Sequence, residues 1–421
     1  NTVAPALCGL KVSAQNLNHA KTLTAYQRTK FPSTKVLWGG ELPTLLPVEC
    51  QQSCDCIVQG AFEPVVAQLS EDLDKGNLQP NYQALGESLQ VQSLPAPRLD
   101  LLPHPKRYPQ FMGLPMESSR GCTYKCTFCM VHTMQPGYQI KNEAQLHLEL
   151  KNYSGRFLNL IDYNFGVDPA HVVHVARAIG GSKVVGWMGE MCLESLDNEE
   201  VLQALAASRC RMVYCGLEAV DELGLKSINK ARTNHIENYE RIIRKVQAHG
   251  IQVAAGMIIG LEGASLEGFE RMQAFFHRMG ILYIKLTFLT YNPGTKVKES
   301  MKRKGDYLTE EIDQYDGNHL TFLATGLEKE VLFEGSRRFI RSFYGLGAII
   351  GRSFKTKLGL LGRMEFVLFN LCYREFYFEW LRHDIFRDEE AYQKLLAAPF
   401  KPSWRMKLAD RWLARVRKWR I

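Results

Sequence analysis

From residue 112 to about residue 294 the chain alternates between two hydrophobic rhythms. Short apolar runs at 156–161, 184–188, 212–216, 253–259 and 283–289 are separated by longer stretches whose apolar residues recur every three or four positions. Unbroken apolar runs mark strands covered on both faces, and the intervening period is that of amphipathic helices. Repeated strand–helix units of this kind build a parallel sheet or barrel. The same reading applies further upstream, where 16–30 predicts an amphipathic helix, 35–38 a buried strand ending at Gly39-Gly40, 45–50 the start of a helix, 56–59 a strand and 64–73 a helix. These elements predict the second half of an α/β domain whose first half is absent from the chain. A polar stretch carrying Pro80, Pro95, Pro97, Pro103, Pro105 and Pro109 follows and predicts a linker. Past Gly294 the pattern turns helical and aromatic, with Phe343, Tyr344, Phe366, Phe369, Tyr373, Phe376, Tyr377, Phe378 and Trp380. The expected division is 1–75 as a partial α/β domain, 76–111 as linker, 112–300 as barrel and 301–421 as a helical C-terminal domain.

A chain of 421 residues exceeds what one ordinary core organises. With 46% hydrophobic and 23% charged residues it has a globular balance. It shows no bilayer-length apolar run and no basic-then-apolar export signal after Asn1, so a cytoplasmic location is expected. The net charge of +8 is concentrated: residues 401–421 hold eight basic side chains against Asp410 alone. The rest of the chain is therefore nearly neutral, and a general nucleic-acid footprint is not expected. Within that tail Leu408, Trp412, Val416 and Trp419 share one helical face, predicting a basic amphipathic helix that either packs on the protein or attaches peripherally to the inner membrane surface.

Eleven cysteines, unevenly spaced with one tight group, indicate a metal site in a reducing compartment rather than a disulfide framework. Cys122, Cys126 and Cys129 stand at i, i+4 and i+7 after a probable strand. A loop of this span can wrap three thiolates around an iron-sulfur cube, and the missing fourth thiol leaves one iron open to a substrate or cofactor. A zinc site completed by a distant ligand such as His132 is the alternative. Cys50, Cys54 and Cys56 read as buried thiols rather than a second cluster.

The segment Gly121-Cys122-Thr-Tyr-Lys-Cys126-Thr-Phe128-Cys129 resembles the CxxxCxxC signature of the radical S-adenosylmethionine superfamily, with Phe128 as the aromatic before the last cysteine. The resemblance implies a partial (β/α)6 TIM-like barrel and a [4Fe-4S] cluster on Cys122, Cys126 and Cys129. It also implies S-adenosylmethionine chelated by the open iron and cleaved to a 5′-deoxyadenosyl radical, with an electron donor such as flavodoxin or ferredoxin as partner. Further positions resemble the branch that carries an N-terminal cobalamin-binding domain. They are Asp162, Asn164 and Phe165 after a strand, Glu218 in Gly216-Leu-Glu-Ala219, Lys230, the glycine-flanked strand with Ile258 and Gly260, Asn292-Pro-Gly294-Thr295, and Tyr315-Asp-Gly317 with His319. By this resemblance Phe128, Asp162, Asn164, Glu218, Lys230, Ile258 and Gly260 line the S-adenosylmethionine site, while His319 is structural. Gly39 and Gly40 fall where a partial Rossmann-like, cobalamin-binding region meets the nucleotide tail of its cofactor. Two departures matter: Ala219 replaces a serine, and the DxHxxG that would supply a histidine to cobalt is absent, which leaves cobalamin open. The implied reaction is methylation or oxidative rearrangement at an unactivated carbon of an apolar or lipid-like metabolite. A radical methylthiotransferase acting on RNA and a zinc-bound structural or interaction protein are the alternatives, although no C-terminal β domain for RNA is visible.

Overall fold

The computed structural model describes residues 4–84, 91–102, 113–135 and 137–382; the basic tail at 401–421 lies outside them. The chain forms two compact units, one of residues 1–94, 121–138 and 288–325, the other of 95–120, 139–287 and 326–421.

The first unit contains a parallel sheet in the order β1-β2-β3-β4, made of β1 (Leu7–Lys11), β2 (Lys35–Gly39), β3 (Cys56–Gln59) and β4 (Asn81–Gln83). Sequence periodicity predicts only the two central strands. The outer two escape it because β1 is interrupted by Gly9 and β4 has three residues with Tyr82 as its sole buried position. The result is a small α/β layer with helices on both faces. Val36, Trp38 and Ile57 face a core with Leu17 and Ala20 of helix α1 (Leu17–Lys30), and Leu37, Cys56 and Val58 face one with Leu69 of α4 (Val66–Asp74). Coverage on both faces is why the central strands read as continuous apolar runs. Trp38 donates its indole N–H to Thr24 of α1 at 2.9 Å. Helices α2 (Glu41–Leu45) and α3 (Pro47–Gln51) link β2 to β3. Residues 288–325 join this unit through Asn18, which donates to Asp313 at 2.6 Å, and Gln15, which donates to the Asp316 carbonyl at 3.2 Å.

The second unit is built on a six-stranded sheet. In chain order its strands are β5 (Leu114–Met116), β8 (Phe157–Leu160), β9 (Gly186–Glu190), β10 (Cys210–Glu218), β11 (Gln252–Ile259) and β12 (Ile284–Phe288), arranged β12-β11-β10-β9-β8-β5. Strand pairs from β5 to β11 run parallel. Helices α7 (Pro169–Gly180), α8 (Glu199–Ala207), α10 (Ile236–Ala248) and α11 (Leu266–Met279) fill the crossovers. Asp168, Asn198 and Ser265 start three of these helices by accepting a backbone N–H in the first turn. Two short strands, β6 (Ser119–Gly121) and β7 (Tyr138–Ile140), pair with each other on either side of the cysteine segment. This is the expected partial (β/α)6 architecture, followed as expected by helices α13 (Lys329–Phe343), α14 (Leu346–Lys355) and α15 (Leu360–Arg382). No helix among the described residues is long and apolar enough to cross a membrane.

Candidate functional site

The cysteine segment lies in the first unit, before the one-turn helix α5 (Val131–Met134), which packs against α2. Gly121 enters the segment at φ +89, and a side chain there would collide with the Gly137 carbonyl, so the loop closes only on glycine. Cys126 is buried, whereas Cys122 and Cys129 are half-buried; none is in a disulfide. The Cys129 N–H donates to the Cys126 carbonyl at 3.2 Å, and the Tyr124 N–H points at the Cys122 sulfur at 3.4 Å. Among the described residues no three His, Cys, Asp or Glu side chains converge as ligands of a single ion. A cubane spreads its thiolates over three metal corners, so three thiols outside any disulfide on one glycine-closed loop, two of them half-buried and one buried, fit a cluster better than a lone zinc. Phe128 is half-buried in the same loop.

Cys50, Cys54 and Cys56 sit in the core of the N-terminal sheet, where burial pushes their thiols up to about 12, 11 and 12. They are packing residues. In the same sheet Gly40 adopts φ +102 with its Cα against Lys11 and Val12, while an added Cβ at Gly39 would meet only Val58, at 4.0 Å. Gly39 is therefore the less obstructed of the two, and Gly40 serves the turn. Thr44 ties that turn to the next strand end, donating to the Gly40 carbonyl at 2.7 Å and accepting from Gly60 N–H at 2.9 Å. No DxHxxG pattern lies within this sequence.

In the second unit the remaining candidates gather at the C-terminal ends of the strands, the face on which βα barrels carry chemistry. Asp162, one residue beyond Ile161, is buried, and its carboxylate accepts the Ser118 hydroxyl at 2.8 Å together with the Ser118 N–H, the Ser119 N–H and the Ser119 hydroxyl. The acid fixes the turn between β5 and β6. His171 backs Ser118 from 3.2 Å; burial depresses its imidazole to about 4, so it is neutral. Asn164 accepts the Gly166 N–H at 3.2 Å and the Cys192 N–H at 3.1 Å, joining the loops after β8 and β9.

Glu218 ends β10 in the left-handed region at φ +67, beyond a register shift at Gly216. A non-glycine residue held there stores roughly 1–3 kcal/mol of strain, which the surroundings must over-determine. Asn234 does so by donating to the Gly216 and Leu217 carbonyls at 3.0 and 3.1 Å, with the Tyr239 hydroxyl on Leu217 at 3.0 Å. The strained turn folds the Glu218 side chain back over Gly216, which has no room for a Cβ, and places Oε1 3.5 Å from Lys230 Nζ. Burial raises the Glu218 carboxyl and the Lys230 charge opposes that rise. Glu218, Ala219, Ile258 and Gly260 line one recess of about 50 Å³ between the ends of β10 and β11, with Gly260 at φ +90. His319, in the first unit, lies 3.0 Å from Asp316 and has a structural setting.

Sequence reasoning missed Glu190 at the end of β9 and Lys285 on β12. It also missed the serines that hold Asp162 and the Asn234–Tyr239 clamp. The available signal was a charge closing or interrupting an otherwise apolar strand.

Residues 116–276 match the model of the Radical SAM superfamily. The chain is 26% identical over 351 residues to the bacteriochlorophyllide d C-12(1)-methyltransferase of Chlorobaculum tepidum, covering 81% of this chain and 75% of the relative. It is 22% identical over 259 residues to the hopanoid C-2 methylase of Rhodopseudomonas palustris, covering 58% of this chain and 47% of that one. Among solved structures, cobalamin-dependent OxsB with aqua-cobalamin and S-adenosylmethionine bound superposes with a TM-score of 0.63 at 15% identity, over 93% of this chain and 66% of OxsB. The methyltransferase TsrM from Kitasatospora setae, with cobalamin and a [4Fe-4S] cluster bound, gives a TM-score of 0.61 at 15% identity, over 84% of this chain and 79% of TsrM. With its CxxxCxxC loop and its six-stranded βα sheet, the chain carries a Radical SAM superfamily domain over residues 116–276 and is an enzyme, and a [4Fe-4S] cluster and S-adenosylmethionine are the cofactors that family uses.

Proposed function

We propose that the chain is a radical S-adenosylmethionine methyltransferase acting on an unactivated carbon of a small, largely apolar molecule. The observation that carries this reading is the glycine-closed loop presenting Cys122, Cys126 and Cys129 as three unbridged thiols. The relatives named for a bacteriochlorophyllide and for hopanoids support methyl transfer and an apolar small molecule. When bound, the cluster supplies the electron that breaks the sulfur–carbon bond of S-adenosylmethionine, and cobalamin supplies a methyl carrier. The chain's own residues bind and orient. Asp162 fixes the segment that leads into Cys122, Asn164 joins the neighbouring loops, and Phe128 flanks the last thiol. Glu218, neutralised by Lys230, offers an acceptor to ribose hydroxyls, and the backbone of Ile258 to Gly260 offers an edge to adenine. Gly39, and Gly40 through the turn it makes, would hold the cobalamin tail. A flavodoxin- or ferredoxin-type donor would reduce the cluster, and the basic tail would bring the enzyme to a surface rich in apolar substrate.

Anaerobic reconstitution of the full chain should give about four irons and four sulfides, and changing all three cysteines to alanine should remove nearly all of them. With dithionite, the wild type should release 5′-deoxyadenosine slowly, and S-adenosylmethionine labelled in its methyl group should pass the label to a small-molecule product. A triple variant that keeps a full cluster refutes the site.

A further inference from the structure

The face of the six-stranded sheet turned from the crossover helices carries a polar layer above an aromatic floor, and two of its charges make no side-chain hydrogen bond or ion pair among the described residues. Along β12 the residues Ile284, Leu286 and Phe288 are buried, whereas the intervening Lys285 is exposed. On β9, Trp187 and Gly189 are buried while Met188 is half-buried and Glu190 is exposed. Both charges therefore stand on the sheet face turned away from the crossover helices. Below them Met188, Tyr214, Tyr283 and Phe369 pack around Met212, Ala254, Leu282 and Phe366. Tyr283 stacks on Tyr373 of α15 at 4.5 Å between ring centroids and lies 6.1 Å from Tyr214.

Glu190 is surrounded by protein and yet keeps accessible surface, the combination expected of a side chain lining a concavity. It feels the charges of Glu218, Lys285 and Lys230. Among the described residues, neither Glu190 nor Lys285 makes a hydrogen bond or an ion pair, in contrast to Glu218 and Lys230 beside them. They are coupled across a gap. Strands β9 and β12 are separated by two others, about 14 Å of sheet at the usual strand spacing, so the two charges are carried by strands too far apart to be neighbours in the sheet and can flank a ligand.

We propose that Glu190 and Lys285 are the polar anchors of a substrate subsite in the barrel lumen, where a flat apolar molecule lies on the Tyr214–Tyr283 floor and presents an anionic group, such as a carboxylate, to Lys285. The inference rests on reading the lumen as the substrate site of a radical methyltransferase, and it adds a substrate class: apolar body, acidic group. Lys285 stands exposed on that face with no carboxylate bonded to it among the described residues, so an anionic group on the ligand would give it a counter-ion. Burial and Glu218 push the Glu190 carboxyl up to about 7, so near neutrality it can stand protonated and donate to the same anion instead of repelling it.

Two probes that differ only in the anion test this. 8-Anilinonaphthalene-1-sulfonate is an aromatic sulfonate, and N-phenyl-1-naphthylamine is the same body without the charge. Equilibrium dialysis against the reconstituted full chain should show the sulfonate bound at least tenfold more tightly. Lys285→Met should remove that preference while leaving the neutral probe's affinity within about twofold, and Lys285→Arg should retain it. Glu190→Gln should keep sulfonate binding and abolish its weakening between pH 6 and pH 8.5. Equal loss of both probes, or unchanged sulfonate affinity in Lys285→Met with the cluster intact, overturns the subsite. Because the readout is binding, its failure is separable from failure of the radical reading, which iron content and 5′-deoxyadenosine report.

Discussion

Glu190 faces Glu218 and Tyr214 on β10, Lys285 on β12 and Lys230 beyond the short helix Glu222–Ser227, and burial together with Glu218 lifts its carboxyl from 4.5 to about 7. The folded state therefore binds this proton more tightly than the unfolded chain. The corresponding stability is complete below about pH 4.5 and is lost as the pH climbs through about 7. Glu190→Gln, which cannot ionise, should melt higher than the wild type at pH 8, with the difference shrinking toward zero at pH 5. Calorimetry across that range checks it, and a difference of constant size would mean that Glu190 ionises freely. The residue was only partly legible in the sequence. A charge ending the run Gly-Trp-Met-Gly-Glu190 marks a strand terminus, but which sheet face it takes depends on register, and register is set by neighbours far along the chain. Asp162 shows the same limit: its place after a strand can be read, whereas its four donors from Ser118 and Ser119 cannot.

Among the elements, the C-terminal helices are held by one buried cation. Arg352 of α14 donates to the Ile281 carbonyl at 3.2 Å, to Asn370 of α15 at 2.7 Å and to the Phe343 carbonyl of α13, and its guanidinium lies 3.5 Å from the Phe343 ring centroid. Burial lowers it to about 10, which still leaves it charged at neutral pH. Arg352→Leu would strand two carbonyls and an amide, so unfolding free energy should fall by about 2–4 kcal/mol. Arg352→Lys should recover little of that, because a point ammonium cannot serve three acceptors arranged around a planar fork. Urea titration followed by tryptophan emission distinguishes these outcomes, and a lysine variant as stable as the wild type would show that the charge alone matters. Such a knot is invisible in hydrophobic periodicity, which registers α14 only as an apolar helix. The barrel strands were legible for the opposite reason: burial on both faces writes an unbroken apolar run. β1, β4 and the antiparallel pair β13 (Gly305–Tyr307) and β14 (Phe322–Ala324) are too short or too mixed to write one.

At the scale of the molecule, three distant stretches close on one another to form the unit that contains the cluster loop: 1–94, 121–138 and 288–325. Periodicity reads boundaries along the chain and holds no record of such closures, although Asn292-Pro-Gly294-Thr295 was recognisable as a turn. The structure shows what that turn is for. Gly294 adopts φ +76 with its Cα against the Leu45 carbonyl, at the end of α2, and α2 in turn packs on α5 immediately after Cys129. A methyl group at 294 would strike that carbonyl, so the turn should displace α2 and loosen the loop although the site is remote from the thiols in sequence. Gly326, at φ +83, has the same backbone requirement but nothing within 4 Å of an added Cβ. Gly326→Ala should therefore cost only the left-handed strain, about 1–2 kcal/mol. Gly294→Ala should cost the strain and the collision together, and reconstituted protein should release iron to a chelator several-fold faster than either the wild type or Gly326→Ala. If both alanine variants hold iron equally well while Gly294→Ala still lowers the melting temperature, the loop keeps its geometry without α2, and the N-terminal layer contributes nothing to cluster retention.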